Sequence, residues 1–417
     1  MTRDNKPYAI VVGLDCITGL QTARILAGRG VPVIAIAKDA AHYCCRTKVC
    51  EAIHEADTAG EDLIRKLTEL GPKLGVKAVL YPCTDMSVLL ISRNREQLKK
   101  WYHIALPEPQ VIELLMDKIS FYTFAEQKGL PIPKTFFLRN QQEAWEAAHE
   151  MEYPCILKPP IKTSTWEENT KAKVFKIASR KELLNQYECC SGWAEVLMAQ
   201  EWVEGNDADL YSCNCYFDAK SEPMVTFIAR KLRQWPPETG TSCLGEECCN
   251  DVVLDESVRL FRSVNYYGLG YVEMKRDART GKHYIIEPNI GRPTGRSAIA
   301  EAGGGELLYT MYCDCVGLPL PENRQQHYSG VKWIYLRRDI QSALYYWRRG
   351  DLTLKEWWKS LQGRKSYAVL SWTDPGPFIA DLVGVAGQLI TGRFHKAKRP
   401  ADKVAQRITN KMRGKAT

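Results

Sequence analysis

The sequence predicts a chain of mixed α/β and α+β class: an open parallel α/β domain at the N-terminus, a strand-rich α+β body and a mostly helical C-terminal extension. Three observations carry that reading. Apolar runs alternate with helical stretches from residue 8 to about residue 110, the rhythm of βαβ units, which implies a parallel sheet. Strand-like segments then recur with few helices between them, which implies antiparallel pairing. Beyond about residue 325 come clustered tryptophans, an apolar segment and a basic tail. The domains that follow are 1–112, 113–324 (divided near 198/199) and 325–417.

Residues 8–12 (YAIVV) form the first strand, a helix covers 20–29, and the apolar run 31–37 is the second strand. Gly13 and Gly19 do not make a GxGxxG spacing, so a dinucleotide fingerprint is not supported. A helix at 61–70 and a strand at 78–81 continue the pattern, and Pro107 and Pro109 mark its end. Asp117 and Lys118 lead into a helix at 119–128 that Gly129 closes before Pro131 and Pro133. A strand at 135–138 and a helix at 141–150 follow, then a strand ending Ile156-Leu157-Lys158-Pro159-Pro160. Further strands are expected at 173–177, 196–203, 209–217 and 224–229.

The most informative stretch comes next. Residues 270–277 and 284–289 flank a polar turn containing Gly281, the pattern of a β-hairpin. Glu273 and Glu287 stand one on each strand, and side-chain alternation lets both face the same side with Asn289. Two carboxylates and an amide oxygen form a hard-oxygen set suited to Mg²⁺, with Mn²⁺ as the alternative ion.

Composition narrows the alternatives. At 417 residues, 45% hydrophobic and 25% charged, the chain can hold two or three globular domains. Its formal net charge is +8, and residues 393–417 alone carry nine lysines and arginines against one aspartate. The rest is therefore neutral, which argues against a nucleic-acid groove in the body. The fifteen cysteines include no CxxC pair and no histidine at zinc-finger spacing. With no secretory signal evident at the N-terminus, they read as reduced thiols of a cytoplasmic protein.

In the C-terminal region, five tryptophans lie between Trp333 and Trp372, and residues 375–391 are mostly apolar but interrupted by Asp381. That is shorter than the roughly 20 apolar residues of a membrane span. It fits either a helix packed on the body with a solvated tail, or peripheral contact of 375–417 with the inner face of a membrane.

Lys118 at a helix head, Lys158 at a strand end, the segment Gln200-Glu201-Trp202-Val203-Glu204-Gly205 and the Glu273/Glu287/Asn289 hairpin occur in a fixed order over residues 8–310. In that order they resemble the ATP-grasp superfamily, and within it the carboxylate–amine ligases. The resemblance implies two α+β subdomains with ATP between two antiparallel sheets, and Lys118 and Lys158 on its phosphates. The main chain at Glu201 and Val203 would meet adenine, Asp207 or Asp209 the ribose, and Glu273, Glu287 and Asn289 the Mg²⁺. It also implies small-molecule carboxylate and amine substrates joined through an acyl phosphate. A carboxyphosphate-forming enzyme and a non-catalytic nucleotide-binding module are the alternatives.

Two departures from the family pattern stand out. No glycine follows Lys158 in Pro159–Trp166, where many members carry a phosphate-cradling loop; Lys162, Lys171 or Lys173 are candidate substitutes. Gly291 occupies the position where the metal motif usually ends in arginine, so Arg292 or Arg296 is expected to serve as the phosphoryl clamp. Arg230, at the end of a strand, is a further candidate for binding a carboxylate or phosphate.

Overall fold

The structure, a computed structural model, describes residues 6–237 and 240–390, the side chains of 385–390 excepted. The chain divides into two compact units: the residues up to Ile132 together with Val203–Ala380, and a second unit that includes Pro133–Trp202.

The first unit begins with five parallel strands: β1 (Ala9–Val12), β2 (Val33–Ala37), β3 (Ala52–Glu55), β4 (Ala78–Pro82) and β5 (Tyr102–His103), in the order β3-β2-β1-β4-β5. β1 is buried along its whole length, as a central strand covered on both faces must be. The helix after it, Ile17–Gly28, starts three residues earlier than its periodicity suggests. Its cap is Cys16, whose sulfur accepts from the Gly19 amide at 3.4 Å, and thiols are not among the usual capping groups. Gly19 is required there, because a Cβ would lie 2.2 Å from the Gly13 carbonyl oxygen.

The second unit carries β6 (Thr135–Leu138), β7 (Cys155–Lys158), β8 (Phe175–Ile177) and β9 (Leu197–Glu201), antiparallel in the order β6-β9-β7-β8. Ala144, Ala147 and Ala148 of the helix Gln141–Glu150 join the same core as Leu157, Trp166 and Leu197. Small residues let that helix approach the sheet closely.

The first unit is completed by β10 (Leu210–Phe217), β11 (Pro223–Trp235), β12 (Thr241–Glu247), β13 (Gly268–Arg276), β14 (His283–Ile290), β15 (Lys332–Ile334) and β16 (Lys365–Tyr367). They form a seven-stranded sheet in the order β14-β13-β10-β11-β12-β15-β16. β11 differs from the expected strand at 224–229: it runs on through the basic stretch to Trp235. Burial of Arg233 makes this possible, since its guanidinium meets both carboxylate oxygens of Asp339 at 2.8 and 3.1 Å.

Asp339 lies on the helix Leu336–Arg349 and also accepts from the Trp357 indole at 3.0 Å. The tryptophan-rich segment is thus tied to the central sheet, to which it contributes β15 and β16. Nearby, the Asp374 carboxylate accepts from Arg24 at 2.8 Å and from the Lys48 amide at 3.0 Å. Among the described residues no helix is long and apolar enough to cross a membrane. The basic tail proposed for membrane contact lies outside the described residues from 391 onward.

All fifteen cysteines are free thiols, most of them buried. Glu301 is a part-buried carboxyl at odds with its surroundings. Burial raises its pKa to about 7; Arg29 opposes this, and Glu306 adds to it. One of its oxygens lacks a hydrogen-bond partner.

Two predictions follow from these buried charges. Asp339→Ala leaves Arg233 uncompensated and lowers the unfolding free energy in urea by about 3–5 kcal/mol; a loss under 1 kcal/mol would show the pair to be unimportant. Native Glu301 binds a proton up to about pH 7, whereas an unfolded glutamate releases it near pH 4.3. The native state therefore holds more protons across that window, and stability falls as pH rises through it. Glu301→Gln should raise stability at pH 8, by up to about 3 kcal/mol, with little change at pH 4.

Candidate active site

The hairpin of β13 and β14 pairs Glu273 directly opposite Glu287 and Tyr271 opposite Asn289. Its turn is held at Asp277, and a one-residue register shift between Met274 and Glu273 then sets Glu287, not Ile286, opposite Glu273. The Asp277 amide donates to the Lys282 carbonyl at 2.7 Å, and the Asp277 carboxylate accepts from the amides of Arg279 and Thr280 at 2.7 and 3.0 Å. Directly paired residues hold their Cβ atoms about 5 Å apart, a spacing at which like charges repel. Three cations offset that repulsion. Lys231 and Arg296 each reach Glu273 Oε1 at 3.5 Å, and Lys118 reaches Glu287 Oε1 at 3.3 Å. Burial acts to raise the Glu273 carboxyl, but Lys231 and Arg296 outweigh it and hold the pKa below the ordinary value. Glu273 is therefore ionised at neutral pH.

Lys118 owes its place to a helix cap: Asp117 Oδ1 accepts from the Ser120 amide at 2.8 Å, which makes Lys118 the first helical residue. Arg292 and Arg296 both enter the site. Arg292 donates to Asn289 Oδ1 at 2.6 Å and to the Tyr271 hydroxyl at 2.9 Å, and pairs with Asp85. Arg296 also donates to Ser212 Oγ at 3.1 Å. Position 291 has a physical reason to be glycine. Its φ is +67°, and a Cβ would lie 2.5 Å from Leu106 Cδ2 and 2.8 Å from Val88 Cγ1. No side chain fits there, so the arginine falls one residue later.

Glu273, Glu287, Asn289, Arg292, Arg296 and Lys231 line one cleft of about 530 Å³. Its other walls include the start of the helix Ile17–Gly28, His42, Tyr43, Ser242, Trp333, Tyr335 and Arg338. Cys16 lines it as well, but burial raises the thiol pKa, so the group is a neutral cap and not a nucleophile. Among the described residues no group of three or more His, Cys, Asp or Glu could hold a metal. Two carboxylates with an amide oxygen still fit Mg²⁺, which takes its remaining ligands from water and phosphate.

Within the first unit, Arg230, Asp207, Asp209 and Val203 do not line this cleft. Arg230 is a correction: it pairs across the strands with Glu246 (2.7 Å from Nε), on the sheet face opposite to Lys231. Asp207 is buried and accepts from Gln234 Nε2 at 2.7 Å, the Gln234 amide at 3.2 Å and the Tyr346 hydroxyl at 2.8 Å. Its carboxylate is thus engaged by the protein. Asp209 accepts from the Asn206 amide at 3.0 Å and lies 3.6 Å from Arg276. Val203 is buried. In the second unit, Lys158 ends β7, and the Glu201 amide donates to the Lys134 carbonyl at 2.9 Å.

Sequence reasoning picked Arg230 and missed Lys231 beside it. Alternation selects Lys231 over Arg230 once the cleft face of β11 is known. Trp333 stood out only as one of the clustered tryptophans and Arg338 not at all, because pairing of β15 with the distant β12 brings Trp333, and the helix after it Arg338, to the cleft.

No protein-family model matches the chain. D-aspartate ligase of Enterococcus faecium (strain Aus0004) is 24% identical over 249 residues, covering 57% of this chain and 58% of that protein. D-alanine–D-alanine ligase of Pseudomonas fluorescens (strain Pf0-1) is 26% identical over 92 residues, 22% of this chain and 26% of that one. The chain thus spans less than two thirds of either relative. Among solved structures, an ADP complex of the N5-carboxyaminoimidazole ribonucleotide synthetase purK superposes with TM-score 0.60 at 15% identity, over 82% of this chain and 85% of that one. The biotin carboxylase domain of Hydrogenobacter thermophilus 2-oxoglutarate carboxylase gives TM-score 0.59 at 16% identity, over 76% and 71%. The chain shares the fold of these two solved structures.

The position of Arg292 depends on a bare residue 291. Gly291→Ala should lower stability in thermal or urea unfolding by about 1–3 kcal/mol, through the strained φ and the contact with Leu106 and Val88. A variant as stable as the parent would contradict that account of the motif.

Proposed function

We propose that the chain is an ATP-dependent ligase that joins a carboxylate to an amine through an acyl phosphate. The observation that carries this reading is the Glu273–Glu287 pair with Asn289, bordered in one cleft by Lys231, Arg292 and Arg296. Such a set suits the charge that develops on a transferring phosphoryl group, where catalysis is mostly positioning and neutralisation.

Glu273, Glu287 and Asn289 would hold Mg²⁺, which when bound neutralises phosphate charge. Lys118 is assigned to the phosphates, with Arg292 or Arg296 on the γ-phosphoryl oxygens. In the second unit the reading keeps Lys158 as a phosphate-binding lysine and the Glu201 main chain as an adenine contact; Val203 and Asp209 keep their nucleotide-binding assignments. Asp207 is the weaker ribose candidate, because Gln234 and Tyr346 engage it.

A substrate carboxylate oxygen attacks the γ-phosphorus, the bond to the β–γ bridging oxygen breaks, and ADP leaves. The amine nitrogen then attacks the acyl carbon, phosphate departs with the former carboxylate oxygen, and the nitrogen loses a proton. No protein nucleophile is needed, in keeping with a neutral Cys16. The names of the two relatives, both ligases of D-amino acids, support an amino acid as the carboxylate substrate.

The test is Glu287→Gln, assayed for ADP release over a panel of amino acids and amines. The account expects a fall of about 100-fold or more, with the thermal unfolding midpoint essentially unchanged. Near-normal release by the variant would overturn the metal assignment. Parent activity that needs bicarbonate alone would favour a carboxyphosphate enzyme, and tight ATP binding without turnover on any acceptor a non-catalytic module.

A further inference from the structure

Seven buried side-chain polar atoms among the described residues have no hydrogen-bond partner. Two of them, Ser242 Oγ on β12 and Trp333 Nε1 on β15, line the same cleft as Glu273 and Arg296. Ser242 is 6% exposed and Trp333 2%. Buried polar groups in native proteins are nearly always paired, so two orphans on different strands, in residues that line one cleft, point to a partner outside the chain.

The cleft of about 530 Å³ has room for that partner. Trp333 pairs with Gly245 across the strands. A Cβ at Gly245 would meet the Arg230 carbonyl oxygen at 3.2 Å, with Arg296 Cδ at 3.8 Å and Ser242 Oγ at 3.9 Å, so these groups crowd around a bare backbone position. The chemistry of the partner is also constrained. An indole N–H only donates, so the ligand atom must accept. Arg338 lies on the same cleft, with its guanidinium 5.0 Å over the Tyr335 ring and its Nη1 donating to Thr241 at 2.7 Å. The cleft holds four cations, Lys231, Arg292, Arg296 and Arg338, against the carboxylates of Asp15, Glu273 and Glu287. Two donors and an excess cation suit an anionic oxygen group.

We infer that Ser242 and Trp333 form a specificity subsite for a second anionic group on the carboxylate substrate, either a carboxylate or a phosphate monoester. This rests on the ligase reading for its place in the reaction, but binding tests it independently. The acyl group to be activated lies toward Glu273 and Arg292; the second group lies toward β12 and β15, with Arg338 beside it.

The experiment is calorimetric titration of the full chain and of its Ser242→Ala and Trp333→Phe variants. The probes are D-aspartate, L-aspartate, succinate and O-phosphoserine, with D- and L-alanine as singly anionic controls. The parent should bind at least one doubly anionic probe about tenfold tighter than alanine, and each variant should lose about tenfold on that probe. ATP affinity and alanine affinity should move less than twofold. Selective loss for the aspartates and succinate assigns a carboxylate, and for phosphoserine a phosphate. No preference in the parent, or a preference kept by both variants, overturns the subsite. If the preference and its loss are seen but no ADP forms with any amine, the ligase reading fails and the subsite stands. If ADP forms as readily with alanine as with every doubly anionic acid, the reverse holds.

Discussion

Two carboxylates facing each other across one pair of strands are the constraint around which this site is built. Alone, Glu273 and Glu287 would repel, and burial would push Glu273 toward its neutral form. Lys231, Arg296 and Lys118 change the balance, and each comes from a different element. Lys231 comes from β11, Arg296 from the segment after β14, and Lys118 from the first turn of a capped helix. Within the seven-stranded sheet, β13 and β14 hold the two glutamates opposite each other past a one-residue register shift in the hairpin.

The same logic extends outward. β11 can carry Lys231 into the cleft because the next charge along it on that strand, Arg233, is buried against Asp339. That pairing fastens the tryptophan-rich C-terminal segment to the sheet, and β15 from the segment brings Trp333 to the cleft. The region that looked like an appendage in the sequence therefore forms part of the site's wall.

Much of the fold was legible, because it rests on short-range signals. The βαβ rhythm, the helix at 61–70 and the strand at 135–138 follow directly from apolar periodicity and turn residues. The glutamate hairpin was legible for the same reason. What failed did so through long-range pairing. Arg230 and Lys231 are adjacent in a basic run, and only the register of β11 against β10 and β12 decides that Lys231 faces Glu273 while Arg230 faces Glu246. Asp207 was expected at the ribose, but it accepts bonds from Gln234 and Tyr346, more than twenty and more than one hundred residues away. The glycine at 291 looked like a lost arginine until Leu106 and Val88 were seen to occupy the space.

The central claim is that a substrate carboxylate is activated by direct phosphoryl transfer at the Glu273–Glu287 cleft. The most direct measurement is turnover with an ¹⁸O-labelled carboxylate substrate, followed by mass spectrometry of the phosphate released. The account predicts one labelled oxygen in inorganic phosphate per turnover, with ADP as the nucleotide product. Unlabelled phosphate, or AMP and pyrophosphate as products, would contradict it.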